Sequence, residues 1–215
     1  MPDEKATKEK LLECARQEFL EKGYLKASLR GICQKAGVTT GALYFFFRNK
    51  EDLLAAVAGE TLRGLNQIIR AHFSREIDTD ARTALAGDAS EDIQSAKEIL
   101  HYLYRHYDMV LFLLTKSQGS SYETIADRFA DVLEQHYDRL TEQLSARLGI
   151  PKPDRYILHW ASHMQIDAFV HLLTHVEEEE KALEHIEQIV SYLVAGWAGA
   201  FGGRKENPSA EFPSR

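Results

Sequence analysis

The sequence predicts an all-α protein of about nine helices. Three observations carry that expectation. Apolar residues recur at three- and four-residue spacing from Thr7 to Phe201, no stretch alternates apolar with polar residues as a half-buried strand does, and Gly, Ser, Thr and Asn stand where the periodic runs begin or stop. With 215 residues and 44% apolar content, the chain is long enough to bury a substantial core in one large or two small domains.

The first helix spans Thr7 to Lys22, carries Leu11, Leu12, Ala15, Phe19 and Leu20 on one side, and stops at Gly23. Ser28 suits the N-cap of a second, which faces inward through Leu29, Ile32, Cys33 and Ala36 and ends at Gly37. After the Gly37-Val38 turn, Thr39 caps a third helix running through Leu43, Tyr44 and Phe47. Asn49 caps a long fourth, predicted over 50–75, with Asp52 in a capping-box-like position and Leu53, Leu54, Val57, Leu62, Leu65, Ile68 and Ile69 along its apolar face. The composition of Ile77 to Ser90 predicts a loop. Ser90 is expected to cap a fifth helix reaching about Tyr107, followed by a short apolar sixth over Asp108 to Lys116. Ser120 with Glu123 reads as a capping box for a seventh helix that ends at Gly149. Pro151 and Pro153 separate it from an eighth, Asp154 to Thr174, and a ninth covers Lys181 to Phe201; residues 207–215 are predicted to be a disordered tail.

Charge divides the chain. Its formal net charge is -7, yet Gly23 to Lys50 holds Lys26, Arg30, Lys35, Arg48 and Lys50 and no acid. Such a window concentrates positive potential where nucleic-acid phosphates can dock. It coincides with two short helices joined by a tight glycine turn, which allow the second helix to be laid in a major groove while the first braces across the backbone. The small residues Thr39, Thr40, Gly41 and Ala42 let the start of the second approach base edges, and the methyls of Thr and Ala suit thymine methyls. Arg30, Lys35, Arg48 and Lys50 are expected to reach flanking phosphates, and Ser28 is a further candidate DNA contact. No charged leader precedes an apolar run and no apolar stretch is long enough to span a bilayer, which predicts a cytoplasmic protein with no membrane partner. Cys14 and Cys33 lack metal-ligand spacing and read as free core thiols.

The run Leu12, Ala15, Phe19, Gly23, Ser28, Leu29, Ile32, Ala36-Gly37-Val38, Thr39, Gly41, Leu43-Tyr44, Phe47, Lys50 and Leu53 closely resembles the N-terminal domain of the TetR (tetracycline repressor) family of transcriptional regulators. The resemblance covers about the first 55 residues. It implies a helix-turn-helix DNA-binding domain over 1–49, a helical ligand-binding and dimerisation domain over 50–206 joined through the fourth helix, and a homodimer that binds a palindromic operator as a repressor released by a small-molecule inducer. Carried onto this chain, it places Thr39, Thr40, Ala42 and Tyr44 at DNA and Lys50 at a phosphate. The family often has polar residues after that tyrosine, whereas this chain has Phe45 and Phe46, which suit apolar contacts to sugars and thymine methyls or burial against the fourth helix.

The resemblance also implies that the last two helices pair with those of a second copy. Ile186, Ile189, Val190, Leu193 and Trp197 form an apolar stripe suited to that interface, and equally suited to the chain's own core. For the inducer cavity, Tyr102, Phe112, Phe129 and Trp160 are the expected wall, with His163 or Asp167 as polar anchor. His159, His163 and Asp167 share a helix face with metal-ligand spacing, which keeps a metal-dependent enzyme or metal sensor open as an alternative, beside a helical dimerisation adaptor. No cofactor, metal or catalytic residue is otherwise indicated.

Overall fold

The computed structural model describes residues 4–78 and 88–201, and among them holds nine α-helices and no strand. The first three, α1 (Glu4–Lys26), α2 (Leu29–Ala36) and α3 (Thr40–Phe46), close around Leu11, Phe19, Ile32 and Leu43, all fully buried. The capping chemistry sets their boundaries. Ser28 accepts the Gly31 N–H at 3.3 Å, Thr39 accepts that of Ala42 at 3.2 Å, and Asn49 accepts that of Asp52 at 2.8 Å, each satisfying an otherwise orphaned first-turn donor. Gly37 ends α2 in the left-handed region at φ 68°.

Helix α4 (Lys50–Asp78) ties the molecule together. Its 29 residues span about 44 Å at 1.5 Å per residue. Leu53, Leu54 and Ala58 belong to the N-terminal core, Leu65 packs with Leu103, Val110 and Leu173, and Phe73 packs against Leu133, Tyr137 and Leu158. Beyond it come α5 (Ser90–Arg105), α6 (Tyr107–Thr115), α7 (Ile125–Leu148), α8 (Arg155–His175) and α9 (Glu179–Phe201). Helix α6 inserts Met109, Phe112 and Leu113 into the N-terminal core, where the Phe112 and Phe19 rings lie 6.0 Å apart.

Several expectations need correcting. The first helix begins before Thr7, and α4 runs past residue 75 to Asp78, so the predicted 77–90 loop starts inside it; 79–87 and the predicted tail at 207–215 lie outside the described residues. Ser90 does not cap α5. Its own N–H donates to Asp88 Oδ1 at 3.0 Å, so the capping carboxylate sits two residues earlier. The seventh helix starts at Ile125 rather than Ser120, because Ser117 to Thr124 is folded into turns: Ser120 Oγ donates to the Ser117 carbonyl and Glu123 accepts the Gly119 N–H. The stripe on α9 faces inward. Ile186 and Val190 are buried against Ala96, Leu100 and Leu172, with Ile189 packed beside them, Leu193 is buried, and the Trp197 ring lies 4.6 Å from that of Tyr137. The outward apolar residues are instead Tyr156, Ile157 and Trp160 on α8 and Tyr192 on α9.

Candidate nucleic-acid interface and interior cavity

A seven-residue helix such as α3 has two faces to divide. Leu43 and the following Phe47 point into the core, which turns Thr40, Gly41, Tyr44 and Phe45 outward, with Ala42 half-buried between. Tyr44 is 56% exposed and Phe45 70%, large values for residues of this size and a departure from their usual burial. The Phe46 ring packs edge-on against Phe45 at 5.0 Å and onto the N-terminal core. The four-aromatic run therefore splits into two outward rings, one half-buried and one buried. Ser28 and Thr39 each have one hydroxyl lone pair engaged as a cap, and both remain exposed with an O–H to donate.

The window that holds no acid in sequence meets acids in space. Lys35 pairs with Glu18 at 3.1 Å and Glu21 at 3.2 Å on α1, and Arg48 pairs with Asp52 at 3.5 Å. Lys50 donates to the Leu25 carbonyl at 3.3 Å and lies 4.4 Å over the Tyr24 ring; burial lowers its pKa. Lys26 and Arg30 are exposed and have no carboxylate partner among the described residues. Glu18 was not flagged by sequence reasoning, since a lone Glu on a helix gives no signal of burial. Its carboxylate is fully buried, bonds Lys22 at 2.6 Å and accepts the Ser28 N–H at 3.3 Å. Burial works against its charge, but the hydrogen bonds from Lys22, Lys35 and Ser28 outweigh that and hold its pKa below the ordinary value.

A second polar cluster joins this unit to the later helices. The Tyr24 N–H donates to the Lys116 carbonyl at 2.9 Å, and Lys116 Nζ donates back to the Leu20 carbonyl at 3.0 Å. Glu51, at the start of α4, accepts from the Ser121 N–H at 2.9 Å, from the Ser121 hydroxyl, and from the Tyr24 phenol at 2.8 Å. Burial, then the Glu51 hydrogen bond and charge, push the Tyr24 phenol up to about 12. At the centre Gly23 adopts φ 73°, ψ 164°, and a Cβ there would stand 3.3 Å from the Lys116 carbonyl oxygen.

Helices α4 to α9 enclose a cavity of about 800 Å³. Of the six residues expected to line it, only Phe129 does. Phe112 is buried in the N-terminal core instead, Tyr102 is drawn to α4 by its hydroxyl's bond to the Thr61 carbonyl, Trp160 is 51% exposed, His163 is half-buried toward Asp127 on α7, and Asp167 is exposed. Val190, Leu193 and Trp197, expected at a dimer interface, line the cavity. Helical periodicity marks which residues are buried but not which of them border a void. The polar wall comes from α4 and the start of α5: His72, Arg75, Glu76, Asp92 and Ser95, with Tyr137 and Gln165 opposite, hydrogen-bonded to each other. His136, stacked 3.8 Å from Phe73, bonds Glu76 at 2.7 Å.

The histidine face on α8 is engaged across to α7. His159 bonds Glu134 at 2.7 Å and His163 stands 4.0 Å from Asp127. Among the described residues no three His, Cys, Asp or Glu side chains are grouped to hold a metal ion, and no helix is long and apolar enough to cross a membrane. Cys14 and Cys33 are free thiols, Cys33 buried.

The family model for bacterial regulatory proteins of the tetR family matches residues 11–57. Over 53 residues the chain is 43% identical to the HTH-type transcriptional repressor BepR of Brucella suis, covering 25% of each chain. Over 100 residues it is 32% identical to the uncharacterized HTH-type transcriptional regulator TtgW of Pseudomonas putida, covering 46% of this chain and 75% of TtgW. The chain thus spans about a quarter of the length of a relative such as BepR. Its fold is similar to that of NalD, the secondary repressor of the MexAB-OprM multidrug efflux pump in Pseudomonas aeruginosa, at a TM-score of 0.53 and 24% identity, covering 87% of this chain and 96% of NalD.

Proposed function

We propose that this chain, which belongs to the TetR family of bacterial regulatory proteins, is a ligand-responsive transcriptional repressor that binds a palindromic operator as a homodimer. The observation that carries the reading is the outward face of α3. Thr40, Gly41, Tyr44 and Phe45 stand free of the core on a helix whose other face is anchored by Leu43 and Phe47. Tyr44 and Phe45 supply apolar contact and a hydroxyl for base edges and sugars, and Arg30, Lys26 and the remaining donors of Lys50 supply the flanking phosphates.

The homodimer uses the outer faces of α8 and α9. Trp160 and Tyr156 recur four apart on α8, while Tyr192, Gly196 and Gly199 share one exposed face of α9, where a Cβ at either glycine would point into open space. Aromatic side chains beside bare glycine backbone suit a self-complementary two-fold interface. The two α3 helices then enter successive major grooves about 34–36 Å apart. A small molecule in the cavity releases DNA by favouring a dimer with a different spacing, transmitted through α4 and through the Glu51–Ser121–Tyr24 cluster. Tests of this reading begin with selection from a randomised duplex pool at physiological salt. Enrichment of a palindrome is the expected result; a folded dimer that enriches nothing would overturn the reading.

A further inference from the structure

We propose that the cavity takes a lipophilic organic cation, its body against Phe129 and Phe169 and its charge at the acidic end formed by Glu76, Asp88, Glu91 and Asp92. This rests on the cavity being the inducer site proposed above. Most of the wall is apolar, so affinity for any guest comes chiefly from burying its hydrocarbon surface. The charged groups on the wall decide its sign. Among the described residues four are carboxylates, on the C-terminal part of α4 or at and just before the start of α5, against one guanidinium, Arg75. That guanidinium already reaches Ser95 at 3.5 Å and Glu98 at 3.4 Å. Burial lowers the pKa of His72, which leaves it neutral near pH 7.

The carboxylates are not equally occupied. Glu76 accepts from His136 and lies 3.7 Å from His72, and Asp88 is bonded to Ser90. Asp92, half-buried on the wall, has no hydrogen-bond or ion-pair partner among the described residues. Burial, then the charges of Glu76, Glu91 and Asp88, raise its pKa to about 6. An anionic guest would add to that repulsion; a cationic guest relieves it and gains the partner that a charge buried among apolar side chains requires.

Tetraphenylphosphonium and tetraphenylborate test this directly, because they share one shape and differ in sign. Titrated without DNA into the full chain at pH 7.5, the phosphonium should bind at least tenfold more tightly, and Asp92→Asn, with its fold checked by circular dichroism, should narrow the gap. Between pH 7.5 and 5 the phosphonium affinity should fall by up to about tenfold as Asp92 protonates. Equal or tighter binding of the borate overturns the proposal, as does a gap unchanged in both Asp92→Asn and Glu76→Gln. Binding of neutral N-phenyl-1-naphthylamine alone leaves the inducer cavity standing and overturns the cation; binding of none of the three overturns both.

Discussion

Phe45 places a large apolar ring at the surface beside Tyr44, where a polar side chain would be cheaper to solvate. In the proposed complex a thymine methyl is the partner that would reward it. Replacing operator thymines by uracil removes one methyl, worth about 0.8 kcal/mol or roughly fourfold in affinity per contact, and that loss should vanish in Phe45→Ala. Anisotropy titrations of both proteins on both duplexes close the cycle. Glu18 is the other telling residue. Its pKa is lowered in the fold, so its contribution is present above the unfolded value and is lost as pH falls through the folded one. Glu18→Gln should cost about 1–3 kcal/mol near neutral pH, and thermal melts should converge with wild type on acidification below about pH 4. The contact proposed for Phe45 is readable from sequence, whereas the burial of Glu18 is not: Glu18 looks like any helix carboxylate, and the partners of Lys35 lie outside the acid-free window.

At the scale of elements, caps whose partners are local were legible. Ser28, Thr39 and Asn49 each receive a first-turn N–H, and Gly37 and Gly149 take the left-handed conformation at helix ends. The Ser120–Glu123 pair misled because a distant residue decides that segment: Ser121 is held by Glu51, and the chain turns until Ile125 before a helix starts. Gly23 was legible as a break in the helical pattern but not as an interior kink: α1 continues past it to Lys26, and the Lys116 carbonyl that crowds it is far away in sequence. Gly23→Ala should destabilise by about 1–3 kcal/mol, seen in thermal or urea unfolding, because it adds a Cβ in a backbone region that only glycine adopts freely. Glu51→Ala addresses communication rather than stability. If the contact to Ser121 and Tyr24 transmits the effector's signal, this variant should still bind operator and effector while the effector's influence on operator affinity shrinks; an undiminished influence would assign transmission to α4 alone.

At the scale of the whole molecule, α4 runs through the N-terminal core at one end and past the cavity at the other, and the proposed division into a DNA-facing unit and a larger effector-binding unit rests on that path. The all-helical architecture was readable because period and caps agree along the chain. The side that the α9 stripe faces was not, since an apolar stripe suits an intramolecular core as well as an intermolecular contact, and only the packing against α5 and α8 turns it inward. Trp160→Glu with Tyr192→Glu should convert the dimer to a monomer in sedimentation velocity and abolish palindrome binding without unfolding the chain; a dimer that persists would move the interface elsewhere. Whether the outer face of α3 reads DNA sequence is measured by the affinity of wild type and Tyr44→Ala for the selected palindrome and for a random duplex. A loss of about a hundredfold or more is expected on the palindrome, with little change on the random duplex and in melting temperature. Full retention of palindrome affinity by a folded Tyr44→Ala would contradict it.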